Sequence, residues 1–366
     1  MLFLTAKIIC GNFIKRGGKM DYINDININE AVIHILDNNG QEPVLNEYKL
    51  DLDEDTYKYI FKHIEKCFKD EELKYAVFKG ENNAIKELVN DFFNSENKDI
   101  IGLSKEIANR LFDAMKSNAI IPSCDLVVAS IITDQGPMIS ILKMDYVKNF
   151  THEINFIEDK IGIDIVPQAA GLPGSGQRIQ KAAFIKPINE EDSYDLMVLD
   201  KRQKANDEAE ENAADFFIKL FLRCSIFEND RDMTKSFLKA TEKWTRKNFK
   251  NNASQAEKIR TAVKSKLKDE EVVNVEQLSE ELFNQTPELK SEFNTYVKEQ
   301  GIDNEVKIDK TWVDKKLKRV RLKIDKEIDL YVNEETYHDN NRFEIQRNGD
   351  GSINMIIKHV INYIEK

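Results

Sequence analysis

The chain has 366 residues, of which 41% are hydrophobic and 33% are charged, a composition typical of globular proteins with two or three domains. Its formal net charge of −11 argues against an anionic partner for the chain as a whole, although the distribution of charge matters more than its sum. Four cysteines and five histidines are scattered along the sequence. This spacing argues against a disulfide framework and a zinc site and is typical of a protein in a reducing cytosol.

The first nineteen residues form an apolar run, "MLFLTAKIICGNFI", followed by "KRGGK". A signal peptide would carry its positive charges before the apolar run, and a membrane helix would be longer and would lack Lys7. We interpret residues 1–19 as a mis-assigned leader that precedes a true start at Met20.

Residues 20–205 are predicted to form a mixed α+β domain with a largely antiparallel sheet. Three-residue and four-residue apolar spacing indicates helices in "DEDTYKYIFKHIEKCF", "NNAIKELVNDFF" and "LSKEIANRLFDAM". The first of these helices would be capped by Asp53 or Asp55. Apolar or alternating runs predict strands in "INEAVIHIL", "CDLVVASIIT", "MISILKMDY", "QRIQKAAFIKP" and "YDLMVLDKR".

Residues 206–300 carry no convincing strand pattern and are predicted to form a helical domain, beginning with the apolar segment "AADFFIKLFLRCSIF". "VNVEQLSEELFNQTPELKSEFNTYVKEQG" is typical of two helices joined by a turn, with Leu278, Leu282, Phe293 and Val297 as their core. Residues 301–366 are predicted to form a small β-rich domain, in which "RNGDGS" marks a hairpin turn.

A glycine-rich loop, "GLPGSGQR", spans Gly171 to Arg178. It lacks the lysine and the hydroxyl residue of a phosphate-binding loop, and the residues after it indicate a strand rather than the helix of a dinucleotide site. We interpret the glycines as structural, allowing a tight turn into the sheet, with Arg178 exposed to a partner.

The most distinctive pattern is a basic segment, Lys235–Lys268, in which eleven Lys or Arg residues face only two acids. Its net charge is +9, so the rest of the chain sums to −20. On a helix, the cations of the first half fall within an arc of roughly 120°, while Phe237, Leu238, Trp244 and Phe249 lie on the opposite side, toward a core. In the second half, Ala256, Ile259, Val263 and Leu267 form an apolar stripe with cations away from it. The expected basic faces comprise Lys235, Lys239, Lys243, Arg246, Lys247, Lys250, Arg260, Lys264 and Lys268.

A row of cations at one-turn spacing can neutralise successive DNA phosphates without reading base sequence. Two other interpretations remain open: the face could dock on acidic surface of this or a second chain, or be simply solvated. A second patch, "DKKLKRVRLKIDK", would place Arg319, Arg321 and Lys323 on one face of a strand. Such charges also protect strand edges from pairing.

Taken together, "ININEAVIHILD", "ISILKMDY", "QRIQKAAFI" and "AADFFIKLFL" resemble the bacterial nucleoid-associated proteins of the NdpA (YejK-like) family, from Ile26 to the C-terminus. The resemblance implies association with the bacterial chromosome, a cytoplasmic nucleoid location and no known catalytic activity. The leader does not belong to the family's pattern. We therefore expect no catalytic residue, no metal site and no cofactor, and no membrane partner.

The sequence thus predicts a non-enzymatic nucleoid-associated protein that contacts the DNA backbone. One alternative is a scaffold recruited to the nucleoid by another DNA-bound protein, and a second is a nucleic-acid-processing enzyme with a dispersed acidic site. The five apolar residues Phe216, Phe217, Leu220, Phe221 and Leu222 exceed what one helix buries against its own domain. They predict a homodimer with this segment near its interface, and the alternative is an ordinary core helix.

Overall fold

The structure is a computed structural model that describes residues 20–80, 82–157, 160–189, 191–201, 215–325, 327–362 and 364. The predicted leader 1–19 lies outside the described residues. The chain forms two compact units that divide after Phe227: unit 1 is Asp21–Phe227 and unit 2 is Glu228–Lys366 with Met20. The three-domain division at residues 205 and 300 stays a prediction.

Unit 1 contains nine strands and three α-helices among its described residues. The helices are α1 (Glu54–Phe68), α2 (Ala84–Asn94) and α3 (Ile100–Lys116). The strands are β1 (Ile26–Leu36), β2 (Lys74–Phe78), β3 (Cys124–Thr133), β4 (Gly136–Asp145), β5 (Val147–Ile157), β6 (Lys160–Gly171), β7 (Lys181–Ile185), β8 (Leu196–Asp200) and β9 (Cys224–Phe227).

Seven of these strands form one antiparallel sheet in the order β1-β3-β4-β7-β8-β2-β9. Both faces of its central strands are buried. The helices α2 and α3 pack on one face, where Val128 and Ile141 join their core. Phe68 of α1 packs on the other face against Phe184, with ring centroids 4.1 Å apart. The predicted α+β class, the antiparallel sheet and the cap at Asp53 are confirmed.

The segment predicted as one apolar helix divides in two. A π-helical turn, Phe217–Leu222, ends at Arg223, whose φ of 48° reverses the chain into β9. The absence of strands from 206–300 was therefore a wrong prediction, because "CSIF" adds to the edge of the sheet beside β2. Of the five apolar residues expected at a dimer interface, only Leu220 is exposed, so this segment lends no support to an interface there.

Unit 2 combines helices with short two-stranded sheets. Its helices are α4 (Asp230–Asn248), α5 (Ala253–Asp269), α6 (Val275–Phe283), α7 (Pro287–Glu299), α8 (Lys310–Leu317) and α9 (Glu334–His338). Its strands are β10 (Val272–Asn274), β11 (Glu305–Lys307), β12 (Arg319–Ile324), β13 (Ile328–Asn333), β14 (Phe343–Arg347) and β15 (Ile353–Ile357). They pair as β10-β11, β12-β13 and β14-β15.

The core of unit 2 is built by α4 to α8 around aromatic side chains. Trp244 packs edge-on against Phe283 and Phe293, at centroid distances of 5.3 Å and 5.0 Å. Leu278, Phe293 and Val297 are buried and Leu282 packs beside them, which confirms the predicted helix pair. The hairpin predicted around "RNGDGS", β14-β15, is also confirmed, and β12 and β13 form a second hairpin. None of the helices in the described part of the chain has the length and apolar run that a membrane crossing requires.

Asn83 links the start of α2 to the end of the π-helical turn in unit 1, and its substitution tests this connection. Its buried side chain accepts hydrogen bonds from the amides of Ile85 and Lys86 and donates to the carbonyls of Leu222 and Arg223. We expect Asn83→Ala to lower the free energy of unfolding by about 2–3 kcal/mol. The substitution removes the N-cap of α2 and leaves the buried carbonyls of Leu222 and Arg223 without this hydrogen-bond donor. Asn83→Asp, which keeps the cap but loses the donor, should fall between wild type and Asn83→Ala in urea unfolding followed by circular dichroism. Equal stability of all three proteins would contradict this role.

His34 gives a second test, on the pH dependence of stability. Burial, and secondarily the charge of Lys105, lower the pKa of this imidazole to about 4, while its Nδ1 accepts a hydrogen bond from the amide of Asn46. Between the unfolded pKa of 6.5 and the folded value, the unfolded chain binds more protons. Stability is therefore present above pH 6.5 and is lost as the pH falls toward 4.

The variant His34→Gln removes this titration but retains an acceptor for Asn46. Both proteins should lose free energy of unfolding when the pH is lowered from 7 to 4.5, and the loss should be about 2 kcal/mol smaller in the variant. Urea unfolding at the two pH values measures both losses. His63, whose pKa burial also lowers, should leave part of the pH slope in the variant. An identical pH slope for both proteins would show that His34 does not contribute.

Candidate nucleic-acid interface

Helix α4 separates its apolar and basic side chains along its whole length. Phe237, Ala240 and Trp244 are buried in the core of unit 2, and Leu238 and Phe249 pack against it. This confirms the predicted core side of the helix. The exposed cations on and just after α4 are Lys239, Lys243, Arg246, Lys247 and Lys250.

Four of these cations, Lys239, Lys243, Lys247 and Lys250, form no ion pair with any residue that the structure describes. We refer to these four residues as the lysine row. The first three are four residues apart, which places them about 6 Å apart along the helix axis. Lys247 lies in the last turn of α4 and Lys250 two residues beyond the helix, where the helix dipole favours cations. Lys235, in the first half of the helix, is half-buried.

Glu242 organises the arginines of the same region. Its carboxylate accepts a hydrogen bond from Arg246 at 2.6 Å and a forked pair from Arg260 at 2.8 Å and 3.1 Å. Burial raises the pKa of Glu242, but the hydrogen bonds and charges of Arg260 and Arg246 outweigh it and hold the pKa below its ordinary value. The carboxylate is thus ionised at neutral pH, and the three residues together carry a net charge of +1.

The predicted cations of helix α5 interact with other residues of unit 2 and not with solvent alone. Lys264 is half-buried above the ring of Tyr337, and burial lowers its pKa. Lys268 pairs with Glu334. Arg260, Lys264 and Lys268 are therefore not the free second basic face expected from the sequence. The physical reason is that Glu242 and the acidic start of α9 lie beside them.

The hairpin β12-β13 presents the third predicted group. Its strands alternate as expected, with Val320 buried and Arg319, Arg321 and Lys323 exposed on the other face. Arg321 lies 3.4 Å from Asp329 and 5.1 Å from the ring centroid of Tyr331. Its charge is therefore partly compensated, whereas Arg319 and Lys323 form no ion pair with the described residues. Lys326, in the same basic patch, lies outside the described residues.

A cleft of about 230 Å³ lies between α5, α9 and β12. Lys264, Lys268 and Arg319 line it together with Asp269 and Glu334. The mixture of cations and carboxylates, including the Lys268–Glu334 pair, leaves little uncompensated positive charge for an anion. The exposed lysine row is the stronger candidate for phosphate contacts.

The glycine-rich loop is held against helix α1 by hydrogen bonds to its backbone. Tyr59 donates to the carbonyl of Pro173 at 2.7 Å, and Lys66 donates to that of Ser175 at 2.5 Å. Gly174 and Gly176 have no positive φ. A Cβ atom at either position would meet no neighbouring atom closer than 4.0 Å, so a side chain would fit there. A tight turn is nevertheless present, as predicted, since the amide of Gln177 donates a hydrogen bond to the carbonyl of Gly174 at 2.8 Å. The loop is fixed by contacts of its carbonyls, and Arg178 is exposed, as expected.

Two features bear on chemistry in the described part of the chain. No three or more His, Cys, Asp or Glu side chains there come together in a way that could hold a metal ion. Cys67, Cys124 and Cys224 are buried, and burial raises the pKa of each thiol to about 12. These three thiols are therefore protonated at neutral pH and are poor nucleophiles.

Sequence reasoning missed the acidic residues that hold the cations of α5. Glu242 precedes Arg246 by one helical turn, so their pairing was visible in the sequence. Glu334 lies 66 residues from Lys268, and only the folded chain brings the two together.

The chain was compared with models of known protein families. The family model described as "Nucleoid-associated protein YejK" (NA37) matches residues 32–365. No curated protein matches the sequence.

Stability measurements can separate the lysine row from the Glu242 cluster. Because the lysine row makes no ion pair among the described residues, changing all four lysines to glutamine should alter the free energy of unfolding by less than about 1 kcal/mol. Glu242→Gln should cost about 1–2 kcal/mol, because it weakens three charge-assisted hydrogen bonds. Both tryptophans of the chain, Trp244 and Trp312, lie in the core of unit 2, so tryptophan fluorescence during urea unfolding reports this unit.

The matched control is Glu280→Gln, which removes a carboxylate from the exposed Lys290–Glu280 pair and should cost less than about 0.5 kcal/mol. A cost for Glu242→Gln no larger than that of Glu280→Gln would contradict the anchoring role of Glu242.

Proposed function

Because the chain belongs to the family described as nucleoid-associated protein YejK, we propose that it contacts the DNA phosphate backbone directly, without reading base sequence, through the lysine row of α4. The observation that carries this proposal is that the four lysines are exposed and form no ion pair within the described chain. Arg246 and Lys235 flank the row, and Arg319 and Lys323 of the β12-β13 hairpin are secondary contacts. The protein would act in the cytoplasm, on the nucleoid, without a cofactor.

The chemistry of the row suits phosphate better than base edges. Lysine carries a compact charge on a flexible stem, whereas bidentate contacts to guanine depend on the planar fork of arginine. The arginine nearest to the row, Arg246, shares the carboxylate of Glu242. Four lysines that each neutralise a phosphate would release condensed counterions, which gives affinity that falls steeply with salt.

The net charge of −11 limits the ways in which the protein can meet DNA. Acidic surfaces elsewhere on the chain are repelled by the phosphates, so an approach that presents the lysine row is favoured. We expect weak binding, because a single row of four cations neutralises few phosphates.

The second candidate is a scaffold that reaches the nucleoid through another DNA-bound protein. The observation that favours it is the net charge of −11, because an acidic chain is repelled by DNA and is not repelled by a basic DNA-bound protein. In that case the lysine row would meet an acidic protein surface. A homodimer is compatible with both candidates. An enzyme with a dispersed acidic site has no comparable observation in its favour.

The salt dependence of binding to duplex DNA tests the proposal. The purified protein should bind two unrelated duplexes with equal affinity, measured by fluorescence anisotropy over a range of salt concentrations. The lysine-row variant Lys239→Gln/Lys243→Gln/Lys247→Gln/Lys250→Gln should bind more weakly. Its slope of log K against log salt should be smaller by roughly three to four, since each phosphate that is no longer neutralised lowers the slope by about 0.9.

The matched control removes the same four charges from exposed lysines elsewhere, as Lys58→Gln/Lys79→Gln/Lys98→Gln/Lys298→Gln, and should keep the wild-type slope. The hairpin variant Arg319→Gln/Arg321→Gln/Lys323→Gln should reduce the slope less than the lysine-row variant, because Arg321 is already paired. An unchanged slope in the lysine-row variant would place the contact elsewhere. No binding by wild type at low salt would favour the scaffold.

A further inference from the structure

The β5-β6 hairpin has one face made almost entirely of large apolar side chains. In its register, Ile154 lies opposite Ile163 and Phe156 lies opposite Ile161, so the members of each pair share a face. The next pairs toward the base, His152 with Ile165 and Phe150 with Pro167, extend the same face by the two-residue period of a strand. Its six large apolar residues are Phe150, Ile154, Phe156, Ile161, Ile163 and Ile165.

The opposite face of the hairpin is largely polar. Thr151 pairs with Val166, and Glu153 pairs with Asp164. Asn155 donates a hydrogen bond to Asp164 at 3.0 Å, across the two strands of this face. The hairpin therefore has the amphipathic pattern of a sheet with one face in water and one in a core, yet its apolar face is exposed.

Nothing that the structure describes covers the apolar face. Its six apolar residues are 53–79% exposed, and β5 and β6 pair only with each other among the described strands. An isolated two-stranded hairpin is at best marginally stable in water, and a third strand or a packed layer is needed to hold it. This hairpin has strands of 11 and 12 residues, so it needs such a layer along most of its length.

The size of the apolar face matches half of a stable protein interface. At roughly 150–200 Å² per large apolar side chain, six residues exposed to this degree present on the order of 700 Å². A typical stable complex buries about 800 Å² on each partner. One partner of similar size and shape would cover the whole face.

The charge of the hairpin disfavours nucleic acid and anionic lipid as that partner. Residues 147–171 contain two lysines against four acidic residues, and both DNA and anionic membranes attract basic segments. A second hairpin of the same kind supplies a matching apolar face of equal length. It also leaves both polar faces in water.

We propose that the apolar face of the β5-β6 hairpin packs against the same face of a second copy of the chain. The two hairpins would form a four-stranded sandwich, with the sheets about 10 Å apart, across an isologous two-fold interface. This inference does not depend on the proposed contact with DNA. It assigns the homodimer to a different segment from the one that sequence composition indicated.

The test replaces a cross-strand pair at the centre of the apolar face. In Ile154→Glu/Ile163→Lys the new side chains lie opposite each other and attract, so the hairpin register is retained while its apolar face is interrupted. Sedimentation velocity at micromolar concentration should give wild type twice the mass of the 42.5 kDa chain. The variant should sediment as a monomer, or dissociate at least tenfold more readily.

The matched control places the same two residues on the polar face, as Thr151→Glu/Val166→Lys, which also lie opposite each other. It should remain a dimer with the wild-type dissociation constant. A measurement on unmodified protein complements the variants: amides of β5 and β6 should exchange with solvent more slowly at high than at low protein concentration.

Three results would overturn the inference. Wild type could be a monomer throughout the micromolar range. It could form a dimer that Ile154→Glu/Ile163→Lys leaves intact, which would place the interface elsewhere. Wild type could remain monomeric and bind phosphatidylcholine vesicles through this face, with binding abolished in the variant, which would identify lipid as the occupant.

Discussion

The position of Trp244 determines which side of α4 faces solvent. The indole packs against Phe283 and Phe293 in the core of unit 2, and a side chain of this size contributes several kcal/mol when it is fully buried. The cations of α4 lie on the other side of the helix. Their positions are therefore determined by the packing of the buried side, although the lysine side chains themselves form no ion pair with the described residues. The exposed charges therefore depend on the packing beneath them.

The same unit neutralises many of its other cations. Arg260 shares Glu242 with Arg246, Lys268 pairs with Glu334, and Lys266 is held by Glu270 and Glu281. These pairs stabilise contacts of α5 within unit 2, although pairs near the surface contribute little each. A count of cations in the sequence cannot separate structural pairs from free charge. The lysine row combines exposure and the absence of an ion-pair partner among the described residues with regular spacing along one helix.

The sequence predicted what depends on local periodicity. The spacing of Ile60, Ile64 and Phe68 determines the buried side of α1, and the alternation around Val320 determines that of β12. What depends on distant partners was not predictable, such as the pairing of Lys268 with Glu334. The β5-β6 hairpin was missed for another reason. Its apolar residues alternate with polar ones as in a half-buried strand, but no local pattern tells whether the apolar face is covered within one chain or by a partner.

The hairpin lies on unit 1 and the lysine row on unit 2, and the roles proposed for them have opposite requirements. An apolar self-association surface is weakened by nearby charge, while phosphate contacts need charge that stays hydrated and free. If both proposals hold, each dimer carries two lysine rows, and a second row that can reach the same DNA binds at an effective concentration set by the connection between them. Weak individual contacts then combine into much stronger attachment without any base-specific contact. A monomeric hairpin variant with an intact lysine row would consequently retain its salt slope per chain while losing most of its affinity for long DNA.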